Sequence, residues 1–190
     1  MKKRLQKRGP FRLIASREVY KNPWIRVRED RVIRPDGTRG IFGVTEIGEG
    51  TSTIAIDRKG FCYLTKEFGY AQGKVSLGLP SGAIDKDKGE SALQAAKREL
   101  LEETGLASKK WHALGSVRFY DTLLKTREHL FMALDVEKVA PQSGDDVGLV
   151  HVVRMPLTRA VSMALKGKME GAEDIVAIVR AWHYIKKSKS

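Results

Sequence analysis

Three glutamates, Glu99, Glu102 and Glu103, fall within five residues of one another in the stretch GESALQAAKRELLEETGL, Gly89 to Leu106. On a helix they share an arc of roughly 100°. Carboxylates so placed repel one another by a few tenths of a kcal/mol per pair when exposed, and by more when enclosed. A solvated acidic helix end is the plain alternative. These acids, however, sit near the C-terminal end, where the helix dipole disfavours them, and Arg98 can neutralise only part of the cluster. A hard divalent cation would relieve the repulsion. Carboxylate oxygens are preferred ligands of Mg²⁺ and Mn²⁺, and Mg²⁺ is commonly held jointly by a few carboxylates and substrate phosphates. The pattern therefore suggests a metal platform.

The element carrying these acids is bounded by clear signals. Ser91 is an N-cap with Gln94 three residues on to complete a capping box, and Gly105 stands where a left-handed C-terminal residue belongs. The spacing predicts a helix from about Ala92 to Thr104, with Leu93, Leu100 and Leu101 on one side. Ala92, Ala95 and Ala96 lie upstream on the glutamate face, small enough to permit close approach. Alternation around Trp24, Ile25 and Val27, then Val32 and Ile33, followed by the turn residues Pro35 to Gly37, predicts a β-hairpin. TSTIAID and FCYLTKEF read as strands, and KVSLGLPSGAID as Gly and Pro punctuation before the helix. WHALGSVRFY, HLFMALDVEKV and LVHVVRMPL read as further strands. AEDIVAIVRAWHYIKK reads as a helix with Ile175, Ile178, Val179, Trp182 and Ile185 at core spacing. Strands, helix, strands, helix predict an α+β domain in which helices cover a mixed sheet.

A chain of 190 residues favours one domain with its own core. No run approaches the roughly 18 apolar residues that span a bilayer, so no membrane role is expected. The N-terminus has no apolar segment typical of a secretory signal, and the single Cys62 cannot form an internal disulfide, so a cytoplasmic setting is expected. Cys62 itself reads as a buried bystander. The net charge of +12 is concentrated at the ends: MKKRLQKRGPFR carries six Lys or Arg and no acid, and KKSKS carries three Lys. Residues 1–12 read as a mobile basic tail, 13–48 as N-terminal strands, and 49–190 as the catalytic domain. A basic face for nucleic acid is not needed to explain the total. His151 and His183 have no metal-ligand partner at a plausible spacing and read as packing or surface residues.

The run Arg98-Glu99-Leu100-Leu101-Glu102-Glu103-Thr104-Gly105-Leu106 resembles the REUxEExGU core of the Nudix box, with Glu90 eight positions before Arg98 and Gly82 in the place of the opening glycine. Seven residues separate Gly82 from Glu90 where the family pattern has five, a two-residue extension of the box loop. The resemblance implies a sheet sandwiched between helices (α/β/α). It also implies Mg²⁺-dependent hydrolysis of a nucleoside diphosphate linked to another group, with Mn²⁺ as a substitute. Glu99, Glu102, Glu103 and the Ser81 carbonyl would bind metal, Arg98 would orient the carboxylates, and Glu90 would steady the loop.

A diphosphate resists water because its charges repel a nucleophile, and two or three Mg²⁺ ions would neutralise those charges and activate water. The general base is expected to be a box glutamate, Glu128, or Asp145 or Asp146 of SGDDVG. The long region before the box is similar to the extra strands of the ADP-ribose and nucleotide-sugar pyrophosphatase branch. That likeness implies a homodimer with exchanged strands, the base stacked on Tyr20, Trp24 or Phe42, and substrate contacts from Lys66 and Glu67 in KEFGYA. Nucleoside diphosphate sugars, ADP-ribose and GDP-mannose among them, are the expected substrates. An RNA 5′-end pyrophosphohydrolase, favoured by the basic tails, and a non-catalytic ligand sensor are the alternatives.

Overall fold

The structure, a computed structural model, describes residues 6–143 and 149–188, and the chain divides into two units, residues 1–48 with 118–127 and residues 49–117 with 128–190. The first unit is an antiparallel meander of Gln6–Arg8 (β1), Phe11–Lys21 (β2), Ile25–Ile33 (β3) and Arg39–Ile47 (β4). Leu124–Lys125, β11 in chain order, adds to β4 in parallel. The hairpin turn falls where PDG predicts it: Gly37 has φ 86°, a left-handed conformation that glycine adopts without strain. Residues 6–12 depart from the reading of a mobile tail. They form a hairpin in which Arg8 pairs with Phe11 and Lys7 with Arg12, around Gly9 at φ 55°, and Arg8 reaches Asp30 at 3.2 Å. Opposite charges also answer much of the basic excess here. Glu46 alone takes Arg26 at 3.2 Å, Arg28 at 3.5 Å and Lys125 at 3.1 Å, which holds its carboxyl below the usual range.

The second unit is built on a mixed sheet of Gly50–Ile56 (β5), Phe61–Gly69 (β6), Lys110–Val117 (β10), Glu128–Leu134 (β12) and His151–Pro156 (β14), in the order β10-β12-β5-β6-β14. Lys74–Gly78 (β7) adds to β6 and Ser81–Ala83 (β8) to β5, so the stretch read as punctuation contributes two strands. Leu106–Ala107 (β9) and Glu137–Lys138 (β13) form a small separate pair.

Strand alternation assigns the two faces. Ile54, Ile56, Leu130 and Met132 are buried on one face with Ala160, Val161 and Ala164 of the helix Leu157–Leu165 (α2) and Ala177, Ile178 and Ala181 of Ala172–Lys187 (α3). On the opposite face Ala55 and Ala133 pack with Leu100 of Ala92–Thr104 (α1) and with Leu106 and Val136. The sheet therefore lies between helices, as expected.

Helix α1 ends where its sequence says. The Ser91–Gln94 capping box is formed, and Gly105 caps the C-terminus at φ 66° with its N–H on the Leu101 carbonyl. Its buried face differs from the expected one. Ala95, Ala96, Leu100, Glu103 and Thr104 are buried, whereas Leu101 is exposed, so the alanines seat the helix on the sheet and do not clear space for a ligand. Helix α2 has no counterpart among the predicted elements. In α3, Ile178 is core while Ile175, Trp182 and Ile185 pack at its margin. His151 and His183 are exposed, and Cys62 is buried with its thiol pushed up to about 12 by desolvation.

Candidate active site

The box acids are gathered by one arginine. Arg98 donates to Glu90 at 2.9 and 3.1 Å, to Glu99 at 2.7 Å, to Glu102 at 3.2 Å and to the Ala83 carbonyl at 3.0 Å. These contacts tie the helix to the loop after β8. The carboxylates raise the guanidinium pKa, Glu90 first and then Glu99 and Glu102. Glu90 also accepts from the Asp85 backbone at 2.9 Å, and its carboxyl is held low mainly by Arg98. The extra loop residues are taken up in a turn around Asp85, which accepts from Lys88 N at 3.1 Å, while Lys86 pairs with Glu49 at 3.2 Å. The two-residue extension thus folds on itself beside the helix.

Glu99 and Glu103 turn inward. Glu103 is 8% exposed and accepts from the Ser81 N–H at 3.3 Å. Glu99 is raised above the usual carboxylate range, chiefly because it is desolvated. Its carboxylate occupies the place that a Cβ on Gly82 would enter. Position 82 must therefore be a glycine if Glu99 is to lie against β8. The chain after β13 closes the helix end: Ser143 N–H donates to the Glu102 carbonyl at 2.9 Å, and the Gln142 amide reaches the Glu103 carbonyl. No sequence signal pointed to Gln142, whose role depends on tertiary placement.

The structure thus brings Ser81, Arg98, Glu99, Glu102 and Glu103 together. It separates Glu128 from them. Glu128 begins β12 on the side of Leu130 and Met132, facing α3, whereas α1 covers the other face. There its carboxyl accepts from Ser52 Oγ at 2.7 Å, and burial, with the Glu173 charge, pushes it up to about 7. Asp174 nearby accepts from Leu79 N–H at 3.0 Å and is likewise pushed up to about 7 by burial, then by Glu173 and Glu128. Lys66 and Glu67 are exposed on β6. Tyr20 and Trp24 are exposed in the first unit, and Phe42 packs edge-on against Phe11 at 5.2 Å. Asp145 and Asp146 lie outside the described residues.

These two raised carboxyls make a pH prediction. An acid whose folded pKa exceeds its unfolded value of about 4 binds more protons when folded, so its stabilisation is present below that pH and is lost as pH rises through about 7. Each group accounts for at most about 3–4 kcal/mol of this loss. The melting temperature is expected to fall between pH 5.5 and pH 8, and Glu128→Gln, which keeps an acceptor for Ser52, should flatten that fall. An unchanged slope in the variant would count against the burial account.

Whether these residues suit a divalent cation can be judged from the donor set. It consists of hard carboxylate and carbonyl oxygens, with the Glu99 carboxylate seated against Gly82, and a buried Thr51 hydroxyl that lacks a hydrogen-bond partner among the described residues. Among the described residues no group of three or more acids, histidines or cysteines stands at metal-holding distances. An open set of few carboxylates is what Mg²⁺ takes when waters and phosphates complete its shell. The residues fit such an ion.

Residues 48–177 match the NUDIX domain. The chain belongs to the Nudix family. Residues 11–45 match the nucleoside diphosphate sugar hydrolase N-terminal domain. A Caenorhabditis elegans protein named "Putative nudix hydrolase 2" is 32% identical over 149 residues, which cover 73% of this chain and 66% of that relative's length. The chain therefore spans slightly less than two thirds of that curated relative. A crystal structure of an ADP compounds hydrolase superposes with a TM-score of 0.82 at 21% identity over 98% of both chains, a likeness of fold. Among the described residues no helix is long and apolar enough to cross a membrane.

Proposed function

We propose that this Nudix protein hydrolyses the pyrophosphate bond of nucleoside diphosphate sugars, ADP-ribose and GDP-mannose among them, to a nucleoside monophosphate and a sugar phosphate, with Mg²⁺ as cofactor. The observation that carries this reading is that Arg98 holds Glu99 and Glu102 while Glu99 lies against Gly82 and Glu103 meets Ser81. The match of residues 11–45 supports the choice of substrate class.

Glu99, Glu103, Glu102 and the Ser81 carbonyl would hold the metal. Bound there, Mg²⁺ would neutralise diphosphate oxygens and lower the pKa of an attacking water. The chain's own residues do the positioning. Arg98 fixes Glu99 and Glu102 with charged hydrogen bonds, and Glu90 in turn fixes Arg98. The base is a box glutamate or an acid of the later loop, Asp145 or Asp146. Glu128 is the weakest of the candidates because the sheet stands between it and α1.

The working enzyme is taken to be a homodimer. Exposed apolar side chains of the N-terminal unit, Val19 and Ile41 on its strands and Trp24 in the turn between β2 and β3, support it. The test is product analysis with Mg²⁺ on the size-exclusion fraction at twice the 21.2 kDa chain mass. ADP-ribose, GDP-mannose, a nucleoside triphosphate and 5′-triphosphorylated RNA are supplied separately. AMP or GMP with the sugar phosphate is expected, and activity should disappear with EDTA. Turnover of RNA or triphosphate alone would overturn the reading.

A further inference from the structure

Thr51 is fully buried in β5, and its Oγ1 has no hydrogen-bond partner among the described residues. Register fixes where its side chain projects. Thr51, Thr53 and Ala55 alternate onto one face, and Ala55 packs with Leu100 of α1 on that face. Thr51 also stands directly opposite Gly82 in the antiparallel β5–β8 pair. Opposed residues in such a pair project to the same side, with Cβ positions about 4.5–5.5 Å apart. The place a Gly82 Cβ would take is filled by the Glu99 carboxylate. Thr51 and Glu99 thus approach one small space from the sheet and from the helix. A buried hydroxyl without a partner is rare in native proteins, and an ionised carboxylate is a stronger acceptor than a neutral group.

We propose that Thr51 is a positioning residue for Glu99: its hydroxyl donates to the Glu99 carboxylate through one buried water and keeps it turned toward the cation. This rests on the reading that the box glutamates bind a cation. Arg98 holds Glu99 from the more exposed side at 2.7 Å, and a cation competes for that same carboxylate. A second support on the sheet side keeps Glu99 placed when the Arg98 bond weakens. A β-branched residue chosen for packing alone would need no hydroxyl, and valine would serve as well.

The experiment measures Mn²⁺ binding to the full chain by calorimetry without substrate, so the readout does not depend on turnover. Partners behind metal ligands typically contribute 10–100-fold to affinity. Thr51→Val is expected to weaken Mn²⁺ binding about tenfold, with a melting temperature equal to or above wild type, and Thr51→Ser to restore affinity to within about threefold. Should Thr51→Val fail to fold, Thr51→Ser against Thr51→Ala gives the same comparison of hydroxyl kept and hydroxyl lost. Wild-type affinity in the hydroxyl-free variant would overturn the inference and leave Thr51 a packing residue. Failure of the box reading looks different: wild type would not bind Mn²⁺, or Glu103→Gln would bind it as tightly, and the Thr51 role would fall with it.

Discussion

Glu103→Gln is expected to lower kcat by at least about 10³-fold while the protein melts at the same temperature or higher. That loss corresponds to about 4 kcal/mol of transition-state stabilisation. The side chain is only 8% exposed, and it accepts from the Ser81 N–H, a bond the glutamine carbonyl can keep. Shape and that contact therefore survive the substitution. What disappears is one negative charge, buried beside Glu99 and Glu102. Holding a carboxylate away from water is costly, and repulsion from its neighbours adds to the cost, so removing the charge should leave stability within about 1 kcal/mol or raise it. A cation site would lose a ligand whose charge cannot be replaced by an amide. The pairing of lost turnover with kept stability separates a functional acid from a structural one. Steady-state kinetics at saturating Mg²⁺ and a thermal melt decide it. Full activity, or an unfolded variant, would sink the assignment.

Helix α1 was legible in the sequence because its signals are local. The Ser91–Gln94 capping box and Gly105 fix both ends, and the spacing of the acids fixes their shared arc. The strands β3, β4, β5 and β6 were legible for the same reason. What sequence could not supply was the third dimension of the site. The spacing placed Ala95 and Ala96 on the glutamate face, yet not which side the sheet would cover, so they read as clearance for a ligand and proved to be core. Glu128 had the right residue type near the right place in the chain. One register position in β12 decides which face it takes, and it faces α3. The roles of Thr51 and Gln142, and the strands β7 and β8, gave no local signal, because they come from long-range pairing: Thr51 with Gly82, Gln142 with the end of α1. The hairpin at residues 6–12 was hidden by its charges, which Asp30 and the β2 ladder accommodate.

Gly82→Ala is expected to cost about 10²-fold in turnover with little effect on folding, and the reason lies in what its methyl would strike. A Cβ at position 82 would overlap the Glu99 carboxylate, with Oε2 at 2.7 Å and the other two atoms nearer. Those atoms are the end of a flexible side chain, so the helix and strand need not move: Glu99 swings away instead. Alanine also narrows the unfolded ensemble by about 0.4–1 kcal/mol, which offsets part of the strain. The displaced carboxylate, however, leaves both Arg98 and the face it shares with Glu103, and misplacement by about 1 Å at a reacting site can cost 10²-fold. Gly50 offers the matched comparison on the other face of the same sheet, since a Cβ there would overlap the Glu128 carboxylate. Gly50→Ala should disturb the pH dependence of melting while turnover stays within about threefold. Equal loss of turnover from both substitutions would mean that Glu128 acts in the reaction across the sheet edge. Loss from Gly82→Ala alone would assign the chemistry to the α1 face.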